Sequence, residues 1–507
     1  MKKQTFLLFS LPLLSAFLLI LAFPRFNLWY MAWFALIPAI VFLLGSRPGT
    51  AFWGGLVFGA IFHFYINFFV NEALFDFLPR NLALLAFVLL ITYLSLFYGL
   101  CFYALNRIKD IVSPISMVFL FSFLWVLMEY LRSAGFLGYT AGYLGYTQWN
   151  IPVILRIASV YGYWGLPFLM FALQAMIALW IKNLLSNRSL GKVLLVWMII
   201  AGLGLGLPSF FPVTRENQTR NIALIQANIS QNNLLEGARE NLERYENLSR
   251  DAAAQYGDLD LIVWAETVLS TALAGGRDTL PEVRQLSEDL QVPIIYGAMV
   301  RKDDGLYNSM ILLIPGREDL QSCSKKYLVP IVEYFPLNDF LNRWLNLRVI
   351  LGTYERGKGI NVFDLDSLPL SGVICFESFF GSYTRQFAAA GAKHLFIISN
   401  DNWLKNSNGL DQHAHMVMIR AAEMGVGVTQ VANSGITISA DFTGKELLRS
   451  NIDEVKILRL ETDFAGRNTV YRVGGDYFII LGCLYVFFSI AKNIFLHRKT
   501  NATSRNP

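Results

Sequence analysis

Charge is what this chain has least of. Only 16% of its 507 residues are Asp, Glu, Lys or Arg, while 54% are hydrophobic. That balance excludes an ordinary soluble protein, in which about a quarter of the residues are charged. Cysteine is scarce too. Cys101, Cys323, Cys375 and Cys483 do not make a disulfide framework, two of them fall in apolar runs, and nothing requires Cys323 and Cys375 to pair. No internal repeat or low-complexity tract occurs, which excludes repeat arrays and biased disordered segments. The net charge of +5 comes mostly from Lys and Arg flanking the apolar runs, so no nucleic-acid partner is implied.

What the chain does have is long apolar runs, unevenly placed. A bilayer core needs about 20 apolar residues to cross. Eight such stretches are read, at about 5–23, 27–45, 50–71, 81–105, 113–134, 152–181, 190–208 and 474–493. The first has Lys2 and Lys3 before it but lacks a small-x-small cleavage site, so it reads as a retained anchor. With the N-terminus inside, twelve Lys and Arg lie in the cytoplasmic segments. Only Arg25, Arg80, Arg132 and Arg156 lie in the short opposite loops. The domains expected are therefore 1–210 with seven transmembrane helices, a water-soluble domain at 215–472 on the outer side, an eighth helix at 474–495, and a cytoplasmic tail at 496–507.

Between 221 and 445, near-continuous apolar runs of strand length alternate with helical stretches, which predicts an α/β domain whose sheet is covered on both faces. Strands are expected at 221–227, 259–265, 292–300, 306–314, 370–376, 393–399, 427–432 and 435–441. Helices are expected at about 236–254, with Leu242, Tyr245, Leu248 and Ala252 on one stripe, and at about 410–424. The segment 334–360 is rich in large apolar and aromatic residues without strand alternation. Two readings stay open for it: an arm dipping into the membrane interface, or a helix packed on the core.

Chemistry in such a sheet sits where strands end. Three polar groups stand at such places: Glu266 after "LIVWA", Lys325 in "CSKKYLVPIVEYFP" after the strand at 306–314, and Cys375 after "SGVI". Together they suit acyl transfer. A thiol becomes a nucleophile when a carboxylate takes its proton, and an ammonium stabilises the oxyanion that follows. Each also has a plainer reading. Cys375 fits a buried core position, Glu266 a turn cap, and Lys325 and Glu377 solvated charges. His413 and His415 are discounted as a metal pair, because positions i and i+2 of a helix point to different faces.

Five stretches in order, "VWAET", "KKYLVPIVEYFP", "GVICFES", "ISNDNW" and "VANSGI", resemble the nitrilase superfamily. Set among eight apolar runs, with "MEYLRS" at 128–133 and "QANISQ" at 226–231, they resemble its membrane-anchored branch, the bacterial apolipoprotein N-acyltransferases. The resemblance implies an eight-helix transmembrane domain plus an α/β domain built as an α-β-β-α sandwich. It implies Glu266 as general base, Lys325 as oxyanion stabiliser and Cys375 as nucleophile. Glu333 would orient the Lys–Glu pair, with Glu377 and Trp403 supporting the pocket. No cofactor and no metal are implied. The expected partners are a phospholipid acyl donor (phosphatidylethanolamine), a diacylglyceryl-lipoprotein acceptor and the bacterial inner membrane, with the chain acting as a monomer. Two other readings stay open: a membrane-anchored amidase or acyltransferase with a different amine acceptor, and a non-catalytic membrane scaffold.

Overall fold

In the computed structural model the described residues are 2–135, 137–230, 238–274, 281–302, 304–330, 332–334 and 354–503. The chain divides into two compact units. One comprises Met1–Trp149, Val153–Phe210 and Gly474–Pro507; the other comprises Asn150–Pro152 and Phe211–Val473. Most of the segment read as an interfacial arm or core helix lies outside the described residues.

The first unit is helical. Among the described residues, four helices are long and apolar enough to cross a bilayer: Pro48–Ile66, Arg80–Ile108, Pro114–Ser133 and Asn187–Phe210. A fifth would be Pro152–Tyr161 with Gly165–Ile181, which together cover the run read as one span but bend by 108°. The break holds Gly162 at φ 67°, a left-handed conformation that favours glycine and ends a helix. The apolar helices at Phe9–Ile20, Trp29–Gly45 and Tyr477–Asn493 are shorter. Four to five crossings are therefore evident from length and composition, where eight were expected.

This unit buries two charges in "MEYLRS", the C-terminal end of the helix Pro114–Ser133, and both are partnered, as apolar surroundings demand. The Glu129 carboxylate accepts from Trp125 Nε1 (3.2 Å), the Leu144 N–H (3.0 Å) and the Tyr163 hydroxyl (2.8 Å). Arg132 reaches His63 Nε2 (2.6 Å), Tyr98 Oη (3.1 Å) and the Ala141 carbonyl (3.2 Å), with its guanidinium 4.7 Å from the Tyr143 ring centre.

The second unit carries strands β1 (Val213–Thr214), β2 (Arg220–Gln226), β3 (Leu261–Val263), β4 (Leu269–Ala274), β5 (Ile294–Lys302), β6 (Gly305–Leu313), β7 (Gln321–Ser324), β8 (Phe363–Leu365), β9 (Leu368–Ile374), β10 (His394–Ser399), β11 (Gly427–Ala432), β12 (Ile438–Ala440), β13 (Glu446–Arg449), β14 (Lys456–Thr462) and β15 (Gly466–Arg467). One sheet runs β14-β2-β3-β5-β6-β7 with β4 beside β5; the other runs β13-β12-β11-β10-β9-β8. β1 and β15 form a separate antiparallel pair. The centre of each sheet is parallel: β2, β3 and β5 in one, β9, β10 and β11 in the other. Every residue of β10 and β11 is buried, as the unbroken apolar runs predict for strands covered on both faces.

The two sheets pack face to face. Gly372 on β9 leaves no room for a side chain against β6, since a Cβ there would lie 2.2 Å from Met310 Sδ. The helix Ala238–Tyr256 packs on β2 and β4 and buries Leu242, Tyr245 and Ala252 of the stripe read from the sequence, with Leu248 half-buried. The helix Asn408–Met424 covers β11 and β12 and is buried almost throughout. The two sheets with their covering helices make the layered α/β sandwich that was expected.

Three expectations need correcting. The strand read as 370–376 stops at Ile374, because Cys375 opens a short 3-10 turn, Cys375–Phe379. The strand read as 259–265 is only Leu261–Val263. Lys325 does not follow the 306–314 strand directly. It follows β7, whose sequence "QSCS" is too short and polar for an apolar-run criterion to find.

Candidate active site

Parallel strands in register bring their carboxyl ends side by side. Ser399 pairs with Ala432 and Ile398 with Ile374, so the residues after β9, β10 and β11 form one edge. Cys375, Asn400 with Asp401, and Asn433 occupy that edge. The loops there are laced together by side chains. Asn433 Nδ2 and Asn402 Nδ2 both donate to the Ile229 carbonyl at 2.7 Å, and the Ser434 hydroxyl donates to Asn402 Oδ1 at 2.6 Å. Gln226 Oε1 accepts from Thr437 and Ser450, each at 2.8 Å. The "QANISQ", "ISNDNW" and "VANSGI" stretches thus hold the rim rather than supply its reactive groups.

Lys325, Glu266 and Glu333 are brought together and buried. Lys325 Nζ donates to Glu266 Oε1 at 3.0 Å and to Glu333 Oε1 at 2.8 Å. Asn308 Nδ2 donates to the same Glu266 oxygen at 2.7 Å, and the Asn400 N–H donates to Glu266 Oε2 at 2.9 Å. Glu333 is fixed in turn by the Val329 N–H, 2.7 Å from its Oε2. Gly297 on β5 leaves room for this, since a Cβ there would lie 2.7 Å from Glu266 Cα. Burial opposes the Lys325 ammonium, but Glu266 and Glu333 outweigh it and hold its pKa well above the usual lysine value.

Cys375 is buried and adopts φ 51°, a left-handed conformation that costs a non-glycine residue on the order of 1 kcal/mol or more. Burial, then the Glu266 charge, pushes its thiol well above the ordinary value, and Lys325 pulls the other way. The sulfur is therefore protonated at rest. A base must take that proton before the sulfur attacks anything.

Glu377 does not act on the sulfur through a direct bond. It accepts from the Ile374 N–H (2.9 Å), the Lys326 N–H (2.6 Å) and the Tyr327 N–H (3.1 Å), tying the turn after β9 to the loop after β7. Burial pushes its carboxyl up to about 7, and those three N–H groups pull it back. A carboxyl that holds its proton more tightly folded than unfolded stabilises the fold at low pH. That contribution is lost as pH rises from the model-compound 4.5 through about 7. Relative to Glu377→Gln, the native chain is thus expected to lose on the order of 3 kcal/mol across that window. Melting curves of both proteins at pH 4.5–8 check this; two parallel curves would contradict it.

Trp403 sits half-buried on the 3-10 turn Asn402–Leu404, next to the rim asparagines. Sequence reasoning missed Asn308, Ser399, Asp401 and His413. His413 Nδ1 lies 2.9 Å from Asp401 Oδ1 and its Nε2 lies 3.1 Å from the Cys375 carbonyl oxygen. A sulfur, a carboxylate oxygen and a ring nitrogen of Cys375, Asp401 and His413 all lie within 4.8 Å of one another. Both ring nitrogens are already engaged, so neither lone pair is free for a metal. His415 is not part of this cluster. His413 alone gave no signal, because only the fold brings its helix over the turn after β9.

Two family patterns match this chain in order. Residues 15–176 match the apolipoprotein N-acyltransferase N-terminal domain and residues 221–463 match the carbon-nitrogen hydrolase domain. Apolipoprotein N-acyltransferase 1 of Treponema denticola is 28% identical over 96% of this chain and 97% of its own length. The apolipoprotein N-acyltransferase of Geobacter metallireducens is 27% identical over 93% and 92%, and that of Haemophilus influenzae is 26% identical over 97% and 96%.

Proposed function

Since the chain belongs to the apolipoprotein N-acyltransferase family, we propose that it moves an acyl chain from a phospholipid, through a thioester on Cys375, to the α-amine of a diacylglyceryl-cysteine at a lipoprotein N-terminus. The observation that carries this chemistry is the buried Lys325 ammonium held between Glu266 and Glu333.

Glu266 takes the thiol proton. A carboxylate offers about four lone-pair sites, and three are occupied by Lys325, Asn308 and the Asn400 N–H, which leaves one for the thiol. The thiolate attacks the ester carbonyl, and Lys325 with a backbone N–H after Cys375 stabilises the oxyanion. The lysophospholipid leaves with the proton from Glu266. The acceptor amine then attacks the thioester, Glu266 takes the amine's proton, and the thiol is regenerated. Glu333 and Asn308 hold the base and the ammonium in place; Glu377 holds the turn that presents the sulfur, and Trp403 flanks the rim.

Phosphatidylethanolamine is the donor in this reading. The protein is a multi-pass membrane protein, and the reading completes that statement with eight crossings, cytoplasmic termini, a catalytic domain on the outer side and a monomeric chain. The shorter apolar helices and the bent pair supply the additional crossings. Mixing the full-length protein with phospholipid of one defined acyl chain should give a fatty-acyl mass increase on the peptide containing Cys375. A diacylglyceryl-cysteine peptide should then discharge it with formation of the N-acyl product. Discharge to water or to simple amines only would favour the amidase reading, and no adduct at all would end the proposal.

A further inference from the structure

Counting protons around His413 leads beyond the Glu266–Lys325–Cys375 set. The Cys375 carbonyl facing Nε2 can only accept, so Nε2 must carry a proton. Nδ1 faces Asp401 Oδ1, which already accepts from the Ser399 hydroxyl at 2.6 Å. A proton on Nδ1 satisfies both sides of that contact. The contacts thus run from Ser399 through Asp401 and His413 to the Cys375 carbonyl, with the sulfur within 4.8 Å of the Asp401 and His413 ligand atoms.

We propose that His413 is a positioning residue for Cys375, present as an imidazolium that ties the nucleophile's carbonyl to Asp401 and keeps the His413–Asp401 pair electrically neutral beside the sulfur. The tie has a mechanical side. It anchors the main chain of Cys375 in its left-handed conformation, which the side chain alone disfavours. It also has an electrostatic side. A neutral imidazole would leave the pair with a net negative charge within 4.8 Å of the sulfur, opposing thiolate and oxyanion alike. The charged groups facing His413 are Asp401 and, further off, Glu266. Both favour the imidazolium against the cost of burial, and the Phe379 ring stacked at 5.5 Å brings no charge. The raised basicity of His413 agrees with this.

The proposal deepens the acyl-transfer reading and rests on Cys375 as nucleophile, but its test needs no acyl donor. The full-length protein is alkylated with iodoacetamide at a series of pH values. The rate is read by mass on the Cys375 peptide, apart from Cys101, Cys323 and Cys483. In His413→Gln the amide can still donate to the carbonyl, but Asp401 is left uncompensated. The alkylation midpoint is expected to rise by about one pH unit. Adding Asp401→Asn restores a neutral pair and should bring the midpoint back to that of the native chain. No shift in His413→Gln, or a shift that persists in the double variant, overturns the proposal, since a purely structural defect would not be rescued by removing a charge. If His413→Gln does not fold, Asp401→Asn alone decides. It converts an ion pair into two neutral groups, so the midpoint should stay in place, and a fall of a unit or more would overturn the tie to Asp401. A missing phospholipid adduct alongside the expected alkylation shifts would strike the acyl-transfer reading alone.

Discussion

Cys375→Ala is expected to give no acyl adduct with phospholipid and a transfer rate reduced by on the order of 10⁴-fold or more, since removing a nucleophile removes the covalent route altogether. The same position allows a check on the backbone. Cys375 has φ 51°, where any Cβ is strained and glycine is not. Cys375→Gly should therefore be at least as stable as Cys375→Ala, by roughly 1 kcal/mol, while equally inactive. Both variants can be compared by denaturant melts and by intact mass after incubation with phospholipid. Acylation in either variant would remove Cys375 from the mechanism, and a clearly more stable alanine variant would contradict the described conformation.

The second large effect concerns the buried charges, where two substitutions should fail in different ways. Glu266→Gln keeps the shape but loses the proton acceptor, and its new NH2 must face a donor, because Lys325, Asn308 and the Asn400 N–H surround both oxygens. A general base contributes on the order of 10²–10⁴ in rate. Single-turnover thioester formation should fall by that amount, while Lys325 keeps Glu333 as partner. Lys325→Met instead strands Glu266 and Glu333 with no counter-ion. Leaving a buried charge unpaired costs about 3–5 kcal/mol, so this variant should lose stability before its rate is worth measuring. Retention of more than a tenth of the native rate in Glu266→Gln would exclude it as the base. A Lys325→Met protein as stable as the native chain would show that one of the two carboxylates holds a proton.

The contrast between these residues also explains what could be read in advance. Glu266 and Cys375 stand just past apolar strands, and Lys325 stands in an ordered motif, so each of the three was legible, and could be singled out, in one dimension. Glu333 was too, because it lies within the same short motif as Lys325. β7 was not, because a four-residue polar strand carries no periodic signal. Nor was the break at Gly162, because a glycine inside a 30-residue apolar run looks like a tolerated one until its φ is known. Asp401 and His413 illustrate a further limit. Their partnership with Cys375 exists only across parallel strands and a covering helix, and no spacing along the chain encodes it.

The partnered charges of the helical unit bear on how the protein comes to be assembled. Arg132 takes His63 and Tyr98 from segments made earlier in translation and adds Ala141 later, whereas Glu129 has Trp125 on its own helix and takes Leu144 and Tyr163 from segments made afterwards. When Pro114–Ser133 leaves the ribosome, its cation already has two side chains from other segments to dock on, and its anion has only Trp125. Insertion of this helix is thus coupled to the arrival of its successors, and a chain truncated before Tyr163 should be held at the insertion machinery or degraded instead of settling in the bilayer.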